Sequence, residues 1–135
     1  MVRDVQTKLL DAAEAIVYRR GFHAASTEEI LQEAGTARMS LYRLFGSKEK
    51  LIEAALKRRD ARWLAWFESA AVARGAGPRE RLLGLFDVLS DWFAEPDFNG
   101  CAFTNMAASD LAGDHPLRVL ALDHKRRLEA FVRLM

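Results

Sequence analysis

The stretch from residue 26 to residue 49 constrains the fold of this chain more than any other part of it. Ser26-Thr-Glu-Glu29 is a capping box, in which the Ser26 hydroxyl accepts from the Glu29 amide while the Glu29 carboxylate reaches back. It predicts a helix over 27–34, and Gly35 then allows the positive φ of a tight turn. A third helix, over about 38–44, is too short to be stable alone and must pack on its neighbours. Two helices joined by such a turn indicate a helix-turn-helix unit.

Helical periodicity also accounts for the rest of the chain. Apolar residues at helical spacing predict a first helix over 4–19, which Gly21 ends. Ser47 caps a fourth helix that runs to about residue 73, and a break at 74–78 precedes a fifth helix over 78–94. A short helix over 101–112 and a last helix opened by Pro116 follow. We therefore predict an all-α fold, with a helix-turn-helix domain over 1–47, a helical regulatory domain over 48–135, and helix 48–73 as the connector.

Composition argues against several classes of protein. Half of the 135 residues are hydrophobic, which is too many for a disordered chain. No stretch approaches the roughly 20 apolar residues of a membrane span, and the polar N-terminus lacks the apolar core of a signal peptide. The one cysteine, Cys101, has no partner for an internal disulfide. We therefore expect no membrane association and a reducing, cytoplasmic location.

The net charge of +1 does not by itself point to nucleic acid, but its distribution does. Within residues 35–50, Arg38, Arg43, Lys48 and Lys50 face a single acidic residue, Glu49. A local positive patch of this kind is what contact with phosphates requires. On charge alone, an ordinary solvated helix face explains the pattern equally well.

The short third helix separates its polar and apolar side chains. Its apolar side carries Leu41, Leu44 and Phe45, whereas its outer side carries Arg38, Ser40, Tyr42 and Arg43. A short, exposed, basic helix suits insertion into the major groove, so we predict DNA binding rather than catalysis. The two arginines would read guanine or clamp phosphates, unless they are surface residues without a role. Tyr42 and Lys48 are expected to contact the DNA backbone.

A series of short motifs occurs in order across residues 9–56. They are Leu10-Asp-Ala-Ala-Glu14, Arg20-Gly-Phe22, Ser26-Thr-Glu-Glu-Ile30, Glu33-Ala-Gly35, Leu41-Tyr-Arg43, Phe45 and Ser47-Lys-Glu49-Lys-Leu51. In these motifs and their spacing the chain resembles the tetracycline-repressor (TetR) family of bacterial transcription regulators. The C-terminal part is similar only through its helix count and through the stretches Gly100-Cys-Ala-Phe-Thr-Asn105 and His115-Pro-Leu117.

The resemblance implies an all-helical homodimer that binds a double-stranded DNA operator. Its three N-terminal helices would form the DNA-binding domain, and the later helices would enclose a pocket for a small effector and form the dimer interface. The DNA contacts that it implies are Ser26, Thr27, Thr36, Arg38, Met39, Ser40, Tyr42, Arg43 and Lys48.

The chain departs from the family pattern at several positions. Ala37 stands where relatives often carry a capping serine or threonine, so the cap must come from Thr36 or be missing, at a cost of about 1 kcal/mol. Met39 replaces a common glycine, Leu44 a common aromatic residue and Gly46 a common proline. The family also continues for about two more helices, so the regulatory domain looks truncated at its C-terminus. Either the chain is a fragment, or dimerisation uses other surfaces.

The second half of the chain is rich in aromatic residues that could line an apolar pocket or form ordinary helical core. The candidates for binding a small, mostly apolar effector are Trp63, Trp66, Phe67, Phe86, Trp92, Phe93, Phe103 and Met106.

Other reactive side chains offer weaker signals. Cys101 is a candidate redox sensor or nucleophile if its pKa is lowered, and otherwise a small buried residue. A catalytic pair with His115 or His124 would require that they meet, which the sequence does not indicate. Asp114, His115 and His124 match no metal-ligand spacing, so we expect no metal and no cofactor. We expect His23 to pack beside the first helix.

Together these observations favour a ligand-responsive repressor that binds an inverted-repeat operator as a dimer. The alternative is a small-molecule-binding helical module with a weak or non-selective DNA-binding head. An enzyme would need a convergent acid–base or nucleophile constellation, for which the sequence gives no trustworthy evidence.

Overall fold

The computed structural model describes the backbone of residues 2–135 and the side chains from residue 4 onward. Across this part of the chain it contains seven α-helices and no strands. They are α1 (Val2–Arg20), α2 (Thr27–Ala34), α3 (Arg38–Phe45), α4 (Lys48–Val72), α5 (Pro78–Phe93), α6 (Ala102–Ala107) and α7 (Pro116–Arg133). The all-α prediction is therefore confirmed, and most helix boundaries agree with it to within two residues.

The sixth helix is shorter than the sequence pattern predicts. It ends at Ala107 rather than near residue 112. Beyond it the Ser109 hydroxyl donates to the Asn105 carbonyl at 3.1 Å, and such local side-chain bonds compete with continued helix. The segment then turns toward Pro116, which begins α7 and suits the first turn of a helix.

Most of the apolar core is one continuous cluster around α1. It joins Leu9 and Ile16 of α1 to Ile30 of α2, Leu41 of α3 and Leu56 of α4. Residues of α6 and α7 belong to the same cluster, namely Ala102, Phe103, Met106, Leu117, Leu120 and Ala121. The helix-turn-helix unit is therefore packed directly against the later helices, and a displacement of α6 or α7 reaches it through shared contacts.

A second, smaller core lies at the far end of α4. Phe67 and Ala71 of α4 pack there against Leu85 and Val88 of α5. The long helix α4 thus has its first half in the main core and its second half in the smaller one. Each helix in the described part of the chain is too short or too polar to span a lipid bilayer.

Candidate nucleic-acid interface and ligand cleft

The turn between α2 and α3 is built as the sequence indicates. The Ser26 hydroxyl accepts from the Glu29 amide at 3.1 Å, and Gly35 adopts φ +67° while its amide donates to the Leu31 carbonyl at 2.9 Å. The capping box is only half formed, however, because the Glu29 carboxylate pairs with Arg20 instead of reaching back to Ser26. The Glu29 carboxylate pairs with Arg20 because a guanidinium is a stronger partner for a carboxylate than a neutral backbone amide.

Helix α3 lies on the surface with one face anchored in the core. Leu41 is fully buried, whereas Met39 is 80% exposed and Tyr42 46% exposed. Arg43 is also exposed and forms no salt bridge with any described residue. Ala37 supplies no side-chain cap, and the buried Thr36 hydroxyl has no hydrogen-bond partner among the described residues. The helix therefore begins uncapped, the second of the two possibilities that the sequence left open.

The remaining predicted DNA contacts differ in how available they are. Ser40 and Thr27 are half-buried, and the Ser26 hydroxyl is engaged as a cap. The Lys48 amine donates to the Ala25 carbonyl at 3.0 Å and lies over the Phe22 ring, 5.8 Å from its centroid. Lys48 thus fastens the start of α4 to the loop before α2, a role that the sequence pattern did not suggest.

Arg38 is paired across the turn with Glu28 of α2. Its Nη2 lies 2.6 Å from Glu28 Oε1. The hydrogen bond between them lowers the pKa of the Glu28 carboxyl and raises that of the Arg38 guanidinium. Both side chains are exposed, so the pair is open to competition from another anion.

The residues of the predicted aromatic set do not lie together in one place. Phe86 is 70% and Phe93 54% exposed, whereas Met106 lies in the main core. Phe67 is in the second core and stacks on Trp63 at 4.9 Å. Trp63, Trp66 and Trp92 come together on one side of α4 and line an open cleft of about 420 Å³.

This cleft is more polar than the sequence led us to expect. Besides the three tryptophans, it is lined by Glu14 of α1, Arg59 and Arg62 of α4, and Glu95 after α5. The expectation of a mostly apolar pocket therefore needs a qualification: the walls combine flat aromatic rings with charges of both signs.

Charged residues that line the cleft also link α1 to α4. The Glu14 carboxylate receives bonds from Arg58 at 3.1 Å, Arg59 at 3.1 Å and Arg62 at 2.8 Å. The Glu14 side chain is only 14% exposed, and the Arg59 guanidinium lies 4.1 Å from the centroid of the Tyr18 ring. Charged pairs that are partly shielded from water hold more firmly than surface pairs.

Sequence reasoning missed a polar cluster that joins α4, α6 and α7. Asp60 Oδ1 lies 2.6 Å from His124 Nδ1, and both residues are buried. Arg127 also bonds the Asp60 carboxylate, and Cys101 lines a space too small for a water molecule together with His124, Phe103, Trp63 and Trp92. One signal for this cluster was available: Asp60 lies midway between Leu56 and Leu64, on the buried face of α4.

The other two histidines are structural. The His115 Nδ1 accepts from the Leu117 amide at 3.1 Å and so caps α7. His23 is exposed; it stacks beside Phe22 and contacts the Asp110 carbonyl rather than packing on α1. Among the described residues no three His, Cys, Asp or Glu side chains are grouped to hold a metal ion.

These features define a class of protein. The first three helices form a unit with a glycine turn and an exposed third helix, and the later helices pack against it and form a cleft. This is the architecture of a helix-turn-helix regulator. The family model described as "Bacterial regulatory proteins, tetR family" matches residues 9–55. A crystal structure of a TetR-type transcriptional regulator from Streptomyces avermitilis superposes with a TM-score of 0.80. It is 34% identical over 94% of this chain and 68% of that one. The chain belongs to the TetR family.

Two curated relatives agree with this assignment. An HTH-type transcriptional regulator from the lacX 3′ region of Lactococcus lactis is 25% identical over 87% of this chain and 60% of its own length. The HTH-type transcriptional repressor KstR2 of Mycobacterium tuberculosis is 38% identical over 58% of this chain and 39% of its own. The chain therefore spans about three fifths of the first relative and less of the second.

Proposed function

We propose that this chain is a DNA-binding transcriptional repressor that reads an inverted-repeat operator as a homodimer and responds to a small effector. The observation that carries the proposal is the exposed face of α3. Met39, Tyr42 and Arg43 project from it while Leu41 anchors the opposite side in the core. A helix fixed in this way can enter the major groove without a change in the rest of the fold.

The basic residues of this surface are expected to contribute to DNA binding in different ways. Arg43, free of an ion pair among the described residues, is the candidate for direct contact with a base or a phosphate. Arg38 is held by Glu28, 2.6 Å away, and has to leave that carboxylate to reach DNA. Lys48 supports the surface indirectly, because its amine ties the start of α4 to the Ala25 carbonyl.

Dimerisation is supported by large apolar side chains that stay exposed among the described residues. Leu82, Leu83 and Phe86 of α5 are 46%, 57% and 70% exposed. Three large neighbouring apolar side chains on one helix suit an interface between two copies of the protein. Two copies are needed if two α3 helices are to meet successive major grooves.

The effector would bind in the cleft between α1, α4 and α5. Its tryptophans suit a flat, largely apolar molecule, and its charged lining suits a polar substituent on that molecule. A ligand that competes for Arg59 or Arg62 would weaken their bonds to Glu14 and so change how α1 packs against α4. Such a ligand alters DNA binding only through its different affinity for the two arrangements.

The decisive experiment is selection of bound fragments from random duplex DNA by the purified chain, followed by sequencing. We expect enrichment of an inverted repeat, with half-sites about one helical turn apart. Enrichment of single half-sites would keep the DNA-reading function but remove the dimer. No enrichment at moderate salt would refute the repressor proposal and favour the alternative, a small-molecule-binding module, for which the uncapped start of α3 already gives some support.

A further inference from the structure

Met39 is the most exposed apolar side chain of α3. It is 80% exposed at the second position of a helix whose opposite side is anchored by the fully buried Leu41. Single apolar residues on a surface are common and need no explanation. This one differs in its position, because the other side chains on the outer side of α3 are polar or basic.

The polar neighbours of Met39 are already bonded to one another. The Arg38 guanidinium donates to Glu28, with 2.6 Å between Nη2 and Oε1. Hydrogen bonds with Glu28 and with Tyr42 raise the pKa of the Arg38 guanidinium. The Glu28 carboxylate therefore balances the cation in the first turn of α3. At this end the helix presents an apolar methionine rather than an unpaired positive charge.

Arg43 lies one helical turn beyond Met39 on the same face, since residues four apart are neighbours on a helix surface. It is exposed and adds a positive charge beside the apolar side chain. This combination matches a stretch of major groove in which a phosphate or a guanine lies near an apolar group. Four residues span about 6 Å of helix axis, which corresponds to about two base-pair steps.

We propose that Met39 is a specificity-determining residue that covers the C5-methyl group of a thymine in each half-site. The thymine methyl is the apolar group that base edges offer in the major groove, where the other groups are hydrogen-bond donors and acceptors. A methionine has no donor and only a weakly accepting sulfur, so it gains little from those polar groups. Its unbranched chain adapts readily to a neighbouring apolar surface. The inference rests on the proposed DNA-binding function and adds the base feature that α3 selects.

The test removes the methyl group from the DNA. Duplexes enriched by the selection described above are synthesised with each thymine replaced in turn by deoxyuridine, which lacks only that methyl. Affinity is measured by fluorescence anisotropy. We expect one position in each half-site, within about two base pairs of the Arg43 contact, at which the replacement weakens binding about fourfold. Replacement in both half-sites should weaken it about 15-fold, as expected for loss of two covered methyl groups.

Variants of Met39 assign the effect to this side chain. Met39→Ala should bind the thymine and deoxyuridine duplexes about equally, whereas Met39→Leu should keep a preference for thymine. Leu134→Ala is the matched control, because it shortens a side chain that is 88% exposed beyond the end of α7, and it should keep the full fourfold ratio. The ratio of two affinities for one variant is insensitive to a change in the folded fraction. A Met39→Ala variant that retains the whole preference would overturn the proposal.

The outcomes separate this inference from the proposed function. If the wild type selects a sequence but no deoxyuridine replacement weakens binding, Met39 does not read a methyl group and at most excludes a base by its bulk. The DNA-binding function would then stand and the inference would fall. If the wild type selects no sequence, the proposed function and the inference are both refuted.

Discussion

Asp60 Oδ1 lies 2.6 Å from Nδ1 of His124 in the interior of the protein, and this bond joins the middle of α4 to the middle of α7. The other Asp60 oxygen is bonded by Arg127. One buried carboxylate therefore satisfies two partners on the same helix. This fixes the position of α7 against α4.

Asp60→Asn should destabilise the protein by about 2 kcal/mol, because the amide cannot satisfy both His124 and Arg127 and carries no charge. Asp123→Asn is the matched control. Its carboxylate contacts the same Arg127 at 3.0 Å but is 56% exposed, so a change below about 0.5 kcal/mol is expected. Urea unfolding of both variants provides the comparison, and equal losses would show that burial of Asp60 is not what matters.

Glu14→Gln should destabilise by about 2 kcal/mol, since it leaves Arg58, Arg59 and Arg62 close together without their shared, mostly buried carboxylate. Glu68→Gln, an exposed position on α4, should be nearly neutral. The free energy of unfolding at low and high salt distinguishes the two. A Glu14→Gln variant as stable as the wild type would mean that the network does not hold α1 to α4.

Ala37→Ser should stabilise the protein by about 1 kcal/mol. Residue 37 has the extended backbone of an N-cap, φ −83° and ψ 151°, but no side chain that can accept from the first turn of α3. Ala24→Ser, in the loop before α2, should change the stability little. Thermal and urea unfolding of the two variants test the point, and a destabilised Ala37→Ser would indicate that the hydroxyl cannot reach the amides of α3.

Arg43→Ala should weaken binding to selected DNA by about 1–3 kcal/mol, roughly 5- to 150-fold, and leave the thermal unfolding unchanged. Arg126→Ala removes the same charge from an exposed position on α7 and should bind DNA like the wild type. Titration at several salt concentrations separates the two effects. Equal affinity of wild type and Arg43→Ala would exclude α3 as the recognition helix.

Cys101→Ala should change how stability depends on pH. The folded protein lowers the pKa of this thiol from an ordinary 9.0 to about 6. The thiolate therefore stabilises the fold fully above pH 9, and this contribution is lost as the pH falls through 6. The advantage of wild type over Cys101→Ala should grow by about 1 kcal/mol between these values, a figure reduced by the partial exposure of the thiol. A difference that stays constant with pH would contradict the lowered pKa.

Much of the N-terminal architecture follows from local sequence. Ser26 and Gly35 fix the ends of α2 because their effects act within one helical turn: one supplies a cap, the other a positive φ. Leu41 inside and Tyr42 outside follow from helical periodicity. The ion pair that Glu29 forms was harder to predict from these local patterns, because its partner, Arg20, lies on α1 and not on α2.

Caps, glycine turns and apolar spacing act over a few residues, so the helices, the helix-turn-helix unit and the family could be predicted from the sequence. Which distant side chains come together depends on the tertiary structure. It divided the aromatic set between cores, cleft and surface, and it brought Asp60 to His124 across 64 positions. Such contacts depend on how whole helices pack, and no local pattern around Cys101 carries that information.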